Sequence, residues 1–273
     1  MSSTFTKSFN SLRIGIAIST YTESNTDPKR YDIIRKSLAS LQDRMKETSL
    51  NLYVVVVIDG PIPDKHTQLL QEFSFPIYVR SKNGGVARTK NTSIRLLLEQ
   101  SVDIGWLADD DVLYKPGCLE QYCHTIWKGH IHHMGFCQMH PLVHPMSEWS
   151  RMGYVPTTIN GMEVMKHGGG GVGCWLSFTP KLIKTIGYFK VMSGKYGYEH
   201  INFSHRCVHQ GMIPHCSDIR NPLQYIDHIG FEPIGYNQFR KSHSISEQYR
   251  KEENQKNRQE WKEGMDKYVP LLE

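Results

Sequence analysis

Residues 106–112 read Trp106-Leu107-Ala108-Asp109-Asp110-Asp111-Val112, an apolar run that ends in three consecutive carboxylates and is followed by Leu113, Tyr114 and the pair Pro116-Gly117. An apolar run ending in acids is expected to be a buried strand whose last residues emerge at the sheet edge, where open α/β sheets collect ligands. Three adjacent anions repel one another, so the cluster requires a nearby cation or full solvation. Taken alone the motif reads more readily as a solvated turn than as a site. Further along, Glu199-His200 and Asp227-His228 place acids beside imidazoles, and all but one of the fourteen histidines lie at or beyond residue 124. Such a concentration invites metal or proton-transfer roles, although most histidines in any chain are structural.

The elements that must position these groups are legible as apolar runs and stripes. Arg13–Thr20 (RIGIAIST) and Leu52–Ile58 (LYVVVVI) are β-branched runs, hence buried strands. Between them, 31–46 carries Ile33, Ile34, Leu38, Leu41 and Met45 at helical spacing. Strand, helix, strand at this spacing is a right-handed βαβ unit and implies a parallel sheet. A short helix over 67–73, a strand over 77–80, a helix beginning near Val86 and a strand over 104–108 complete a βαβαβαβ half with its site at the strand ends. The second half is less regular: a helix over 118–127, a strand over 135–139, a loop or hairpin over 144–158, a glycine run at 168–171, a strand over 174–178, helices over 180–186 and 201–210, and a charged helix in the tail over 246–267.

A chain of 273 residues, 39% hydrophobic and 22% charged, is an ordinary soluble composition with enough length for a full core. The formal charge of +5 favours anionic ligands without specifying one. No run approaches a membrane span, and the N-terminal segment lacks the apolar core of a signal peptide, so the expected location is cytoplasmic. The six cysteines form no CxxC pair and read as reduced thiols. With no internal repeat or low-complexity linker, one domain over 1–273 is expected, with 13–112 as a nucleotide-binding type of half, 113–235 as the less regular half and 236–273 as a charged helical appendage.

Five pieces occur in a telling order: IAISTYTES at 16–24, VVVVIDG ending in Asp59-Gly60, NGGVARTKN at 83–91, the aspartates with Pro116-Gly117, and GGGGVGCWLSFTPKLIKTIGYF at 168–189 followed by KYGYEHINFSHRC at 195–207. Over roughly 13–216 the chain resembles the family 2-type glycosyltransferases of the GT-A fold, an α/β architecture with a mostly parallel, helix-flanked sheet. The resemblance implies that Thr20, Tyr21 and Glu23 lie in the turn that cradles the nucleotide, that Asp59 contacts the base, and that Asn83, Arg88 and Lys90 belong to a loop that touches the diphosphate or holds its own fold. It implies a divalent ion, Mn²⁺ or Mg²⁺, that offsets charge on the departing diphosphate. Asp109 and Asp111, two apart on an extended segment, point to one side and are the candidate ligands, with Asp110 against ribose or sugar hydroxyls. A register that uses Asp110 and Asp111 remains open. The third ligand is expected to be His228, with His243 as the alternative and Asp227 as a possible partner that orients the imidazole.

The departure from pattern is at Glu199-His200, where the family commonly has Glu-Asp. Either residue can accept a proton from an acceptor hydroxyl. Glu199 is the expected base, with His200 holding the acceptor or sharing the proton, and direct attack would invert the anomeric carbon. Trp175 reads equally as a sugar platform or a core residue. The co-substrate implied is a nucleoside-diphosphate sugar such as a UDP-sugar, with the sugar itself open. The acceptor is expected to be a glycan or glycolipid, with hydroxymethylated bases of phage DNA, in a host cytoplasm, as the alternative. The rival class is a non-catalytic sugar-nucleotide- or nucleic-acid-binding protein. Oligomeric state is not legible.

Overall fold

The first four strands are β1 (Arg13–Thr20), β2 (Asn51–Ile58), β3 (Ile77–Val79) and β4 (Ile104–Asp109). They pair in parallel in the spatial order β3-β2-β1-β4, with β1 between β2 and β4. Both faces of β1 and β4 are covered, which is why their sequences are continuous apolar runs rather than alternating ones. The computed structural model describes residues 7–136, 154–167, 172–234, 237–240 and 247–272. The helices between these strands are α1 (Pro28–Glu47), α2 (Asp64–Gln71) and α3 (Val86–Glu99). The chain therefore winds outward from β1 through β2 and β3, then returns to the other side of β1. The reversal leaves a crevice at the carboxyl ends of β1 and β4, where the register sets Ser19 beside Asp109.

Past the aspartates, β5 (Val112–Tyr114) leads to α4 (Cys118–Gly129), β6 (Gly135–Phe136) and a hairpin of β7 (Val155–Ile159) and β8 (Met162–Lys166). Strand β9 (Val172–Phe178) then runs antiparallel to both β4 and β6 and completes the six-stranded sheet. The strand expected over 135–139 is described only as far as Phe136, and the glycine run at 168–171 lies outside the described residues. Trp175 on β9 is fully buried and stacks on Trp106 of β4 at 4.3 Å between ring centroids. It is a core residue, which removes it as a sugar platform.

Helices α5 (Pro180–Ile186) and α6 (Glu199–His209) pack beside this sheet, followed by β10 (Ser217–Ile219), α7 (Pro222–Tyr225) and β11 (Ile226–His228). Strand β10 adds to the β7–β8 hairpin, while β11 pairs antiparallel with β5 and sets His228 opposite Val112. The charged tail forms α8 (Glu247–Glu260). One face of it is fastened to the 193–197 loop by polar contacts. Glu253 accepts from the Lys195 amide at 2.7 Å, and Asn257 accepts from Gly194 and donates to the carbonyl of Gly197. Five described cysteines are free and buried. Among the described residues no helix is long and apolar enough to cross a membrane.

Candidate active site

The crevice at the ends of β1 and β4 is a cleft of about 300 Å³ that collects Thr20, Tyr21, Arg30, Asp59, Lys90, all three aspartates, Glu199, His200 and His228. These residues, up to 208 apart in sequence, thus come together in one cleft, and each aspartate meets a different environment. Asp109, the most exposed of the three, takes an ion pair from Lys90, whose Nζ stands 2.8 Å from Oδ1. Lys90 is itself fully buried and donates a second bond to the Gly173 carbonyl at 2.9 Å. Asp110 is buried against Thr20 Oγ1 and the guanidinium of Arg30. Asp111 faces His228 Nε2 at 3.1 Å and Arg30 Nη1 at 3.4 Å. Gly230 lies against the Asp111 carboxylate so closely that a Cβ there would collide with it.

Arg30 reaches the acids because Asp27 caps α1 by accepting from the Lys29 amide, with Pro28 in the first turn. That start puts Arg30 on the first turn, at the end of the helix nearest the crevice. Burial opposes its charge, but the three aspartates together hold its pKa above the ordinary value. Burial pushes Asp110 up, with the charges of Asp111 and Asp109 adding to it. Arg30 and the Thr20 hydroxyl pull the other way, and the outcome is about 6.

Behind Asp110 runs a directional chain. The Thr20 hydroxyl donates to Asp110, so His66 Nε2, 3.1 Å away, must donate to Thr20 Oγ1. His66 Nδ1 is then the acceptor for the Thr22 hydroxyl at 2.7 Å. This requires a neutral imidazole, and burial with the charge of Arg30 lowers His66 to about 4. The loop 20–22 is thereby pinned to α2 and to the aspartates at once. Neither Arg30 nor His66 was expected from sequence.

Asp59 lines the cleft, but its Oδ1 accepts from Arg80 at 2.8 Å and the Gly84 amide at 3.0 Å, and its Oδ2 from the Gly85 amide at 2.9 Å. Three of about four lone-pair sites on the carboxylate are taken, so Asp59 is first the fastener of the glycine loop. Gly85 has φ +83° and sits against Lys195, which joins that loop to the 193–197 segment. Asn83 accepts from the Gly85 amide, and Arg88 packs over Gly84. Neither lines the cleft. Glu23 lines a neighbouring depression with Tyr21 and Pro61. Arg88 and Lys90, expected in the loop, lie in the first turns of α3, and Lys90 is the one turned to the aspartates.

On the far wall, Glu199 opens α6 and is 4% exposed. Its Oε1 accepts from His200 Nδ1 at 3.2 Å, while Oε2 is buried without a hydrogen-bond partner among the described residues. Burial pushes Glu199 up, but the hydrogen bond and charge of His200, with help from the helix start and Lys90, leave it below the ordinary carboxylate value. An ionised carboxylate with an uncommitted oxygen, on a residue that lines a cleft, has what a proton acceptor requires. His200 packs against Gly173, where a Cβ would press on the imidazole.

The side chains that could hold a divalent ion are hard oxygen donors and an imidazole, the chemistry that Mn²⁺ and Mg²⁺ accept. Asp111 and His228 stand as a ready pair. Asp109 faces the same cleft with its carboxylate on Lys90. Among the described residues, no group of three or more His, Cys, Asp and Glu side chains is gathered closely enough to hold a metal. The donor set thus fits in kind, with two ligands adjacent and the third engaged by a lysine. His243 lies outside the described residues.

The fold is shared with solved glycosyltransferases. The mannosyltransferase PcManGT from Pyrobaculum calidifontis, in complex with GDP-mannose and Mn²⁺, matches with a TM-score of 0.52 at 14% identity, over 74% of this chain and 54% of that one. S. aureus TarS in complex with UDP matches with a TM-score of 0.51 at 14% identity, over 79% of this chain and 60% of that one. The chain thus spans between half and two thirds of those structures, and the fold is of GT-A type. A family model described as glycosyl transferase family 2 matches residues 16–131. A glycosyltransferase of Acanthamoeba polyphaga mimivirus, itself uncharacterized, is 40% identical over 218 residues, 79% of this chain and 80% of the viral protein. The chain belongs to glycosyl transferase family 2 and is a glycosyltransferase.

Proposed function

We propose that the protein moves a sugar from a nucleoside-diphosphate sugar, UDP-linked in the first reading, to an acceptor hydroxyl on a glycan or glycolipid, with inversion and with the help of a divalent ion. The observation that carries this is the pairing, across one cleft, of the aspartate cluster at the β1/β4 switch point with the buried Glu199 whose Oε2 has no partner. The ligands of the two structural relatives, GDP-mannose with Mn²⁺ and UDP, support the same donor class.

Asp109, Asp111 and His228 are the residues that would hold Mn²⁺ or Mg²⁺. A divalent ion there supplies charge neutralisation for the departing diphosphate. Glu199 accepts the proton of the acceptor hydroxyl, whose oxygen forms the new bond to the anomeric carbon as the bond to the diphosphate breaks. His200 holds Glu199 ionised and oriented. Tyr21 and Thr20 form the nucleotide side of the cleft, and the lone-pair site left on Asp59 is available to the base. Thr20 and the close contact of Arg30 occupy Asp110, whereas Asp111 meets Arg30 only at 3.4 Å, which favours the Asp109/Asp111 register. Turnover of labelled sugar nucleotides, with and without Mn²⁺ and with acceptor pools, tests the proposal. Metal-stimulated release of UDP with one sugar is expected; no turnover of any donor, with nucleotide still bound, would point to a binding protein instead.

A second acceptor class, a hydroxylated base in DNA, is favoured by one observation: a cationic groove opens beside Glu199.

A further inference from the structure

Helix α8 sorts its side chains by face. Glu253 and Glu260 are turned to the 193–195 loop, where they accept from the amides of Lys195 and Ser193. Another face presents Arg250, Lys251, Asn254, Gln255, Arg258 and Gln259 along a groove of about 480 Å³ whose remaining wall is Tyr198. Three cations and three amides line it, and among the described residues no acid does. From Arg250 to Arg258 the stripe runs about 12 Å at the helical rise. Arg250 and Asn254 also line the donor cleft, so the groove runs into it, and Tyr198 directly precedes Glu199. An acceptor lying along α8 is therefore delivered to the proton acceptor.

We infer that this groove docks a nucleic-acid strand and that the acceptor hydroxyl is carried by it. The inference rests on the glycosyltransferase reading for the reaction and takes the second acceptor class, a hydroxylated base in nucleic acid, in place of the glycan. A neutral glycan gains nothing from the charge of the three cations in this lining, whereas a phosphodiester backbone does. Carboxamides interleaved with the cations offer donors and acceptors together, which base edges require and a plain phosphate chain does not. The stripe matches roughly three nucleotide steps at the ~3.4 Å rise per stacked base.

The test is fluorescence anisotropy of a labelled, mixed-sequence single-stranded oligodeoxynucleotide with the full chain. Three phosphate contacts predict a slope of log K against log salt of about −2. Lys251→Gln with Arg258→Gln should weaken binding at least tenfold at about 50 mM salt and bring the slope to about −0.7. Lys36→Gln with Lys184→Gln, both exposed and away from the groove, removes the same charge and should leave affinity within twofold. Equal loss in the two pairs, or no binding by the parent chain, overturns the groove. If inorganic polyphosphate competes as well as the oligonucleotide, and Gln255→Ala with Gln259→Ala changes nothing, the nucleic-acid assignment fails in favour of a general polyanion. Thermal stabilisation by UDP with Mn²⁺ reads the donor site separately, so its absence strikes the proposed reaction and leaves the groove to be judged on the oligonucleotide.

Discussion

Arg30→Gln is the sharpest probe of how the aspartate cluster is kept, because its effect should depend on pH in a sign that the structure fixes. In metal-free buffer Asp110 has a folded pKa of about 6, above its unfolded value near 3.8, because burial outweighs Arg30 and Thr20. A group whose folded pKa is raised contributes stability below the unfolded pKa and loses it as pH rises through the folded pKa. Arg30 is one of the influences holding that pKa down, so its removal moves the folded pKa up and extends the loss to higher pH. At pH 5 Asp110 is mostly protonated with or without Arg30, and the substitution removes its hydrogen bonds, worth about 1–2 kcal/mol. The 3.4 Å contact with Asp111 is lost at both pH values and cancels in the comparison. At pH 8 the parent holds an ionised Asp110 against Arg30, while the variant either leaves a buried charge unpaired or takes up a proton against the solution. Breaking a buried pair from one side costs about 3–5 kcal/mol. Linkage limits the growth between pH 6 and 8 to about 1.4 kcal/mol per pH unit, which brings the two figures together. Urea midpoints at pH 5 and pH 8, compared between parent and variant, read it directly. A gap that widens by about 2 kcal/mol is expected. A gap that stays constant, or narrows as pH rises, would refute the placement of Arg30 on Asp110.

The chemistry makes its own predictions. Glu199→Gln keeps the volume and the contact with His200, so it should fold normally and lower transfer by about 10²–10⁴-fold; activity above a third of the parent would remove Glu199 as the base. Because Glu199 titrates below the ordinary carboxylate range, kcat/KM should fall only as pH drops through that lowered pKa, and a limb at neutral pH would contradict the assignment. Asp111→Asn and His228→Ala should each raise the Mn²⁺ concentration needed for half-maximal turnover by about tenfold or more, and an unchanged metal titration would place the ion elsewhere.

The strands and helices of the first half were readable because buried parallel strands leave runs such as VVVVI, and the stripe of Ile33, Ile34, Leu38 and Leu41 has only one helical solution. Short pairings were not. The β5–β11 ribbon has three residues a side and brings His228 to Asp111 across 117 positions, a closure set by tertiary packing rather than by local pattern. Helix α8 was legible as a charged helix, but its docking was hidden for another reason. Its fastening face is made of Glu253, Asn257 and Glu260, polar residues that satisfy backbone groups of another segment, and hydrophobic periodicity cannot register a polar interface. Arg30 had a usable signal in Asp27-Pro28, which fixes the start of α1, but expecting the helix from residue 31 put the arginine outside it. His66, alone in a short amphipathic helix, carried none.

The aspartate motif itself is the clearest case of a pattern that sequence locates and structure interprets. Three consecutive acids are not three equivalent ligands, since alternation along the chain and the two neighbouring strands give each a different partner. Asp109 rests on Lys90, Asp110 on Arg30 and Thr20, Asp111 on His228 and Arg30. With all three ionised and both cations in place, one net negative charge remains, and none once Asp110 takes a proton. A bare trio would repel a diphosphate, while a trio already countered by Lys90 and Arg30 admits one. Burying an arginine and a lysine among acids is costly for folding unless each charge is met, and here each is. The same compensation lets the cluster survive burial, and on the proposed reading Asp109 and Asp111, paired with Lys90 and His228, are the two that would exchange a side-chain partner for an incoming cation. Asp110, held by Arg30 and Thr20, would stay with the scaffold.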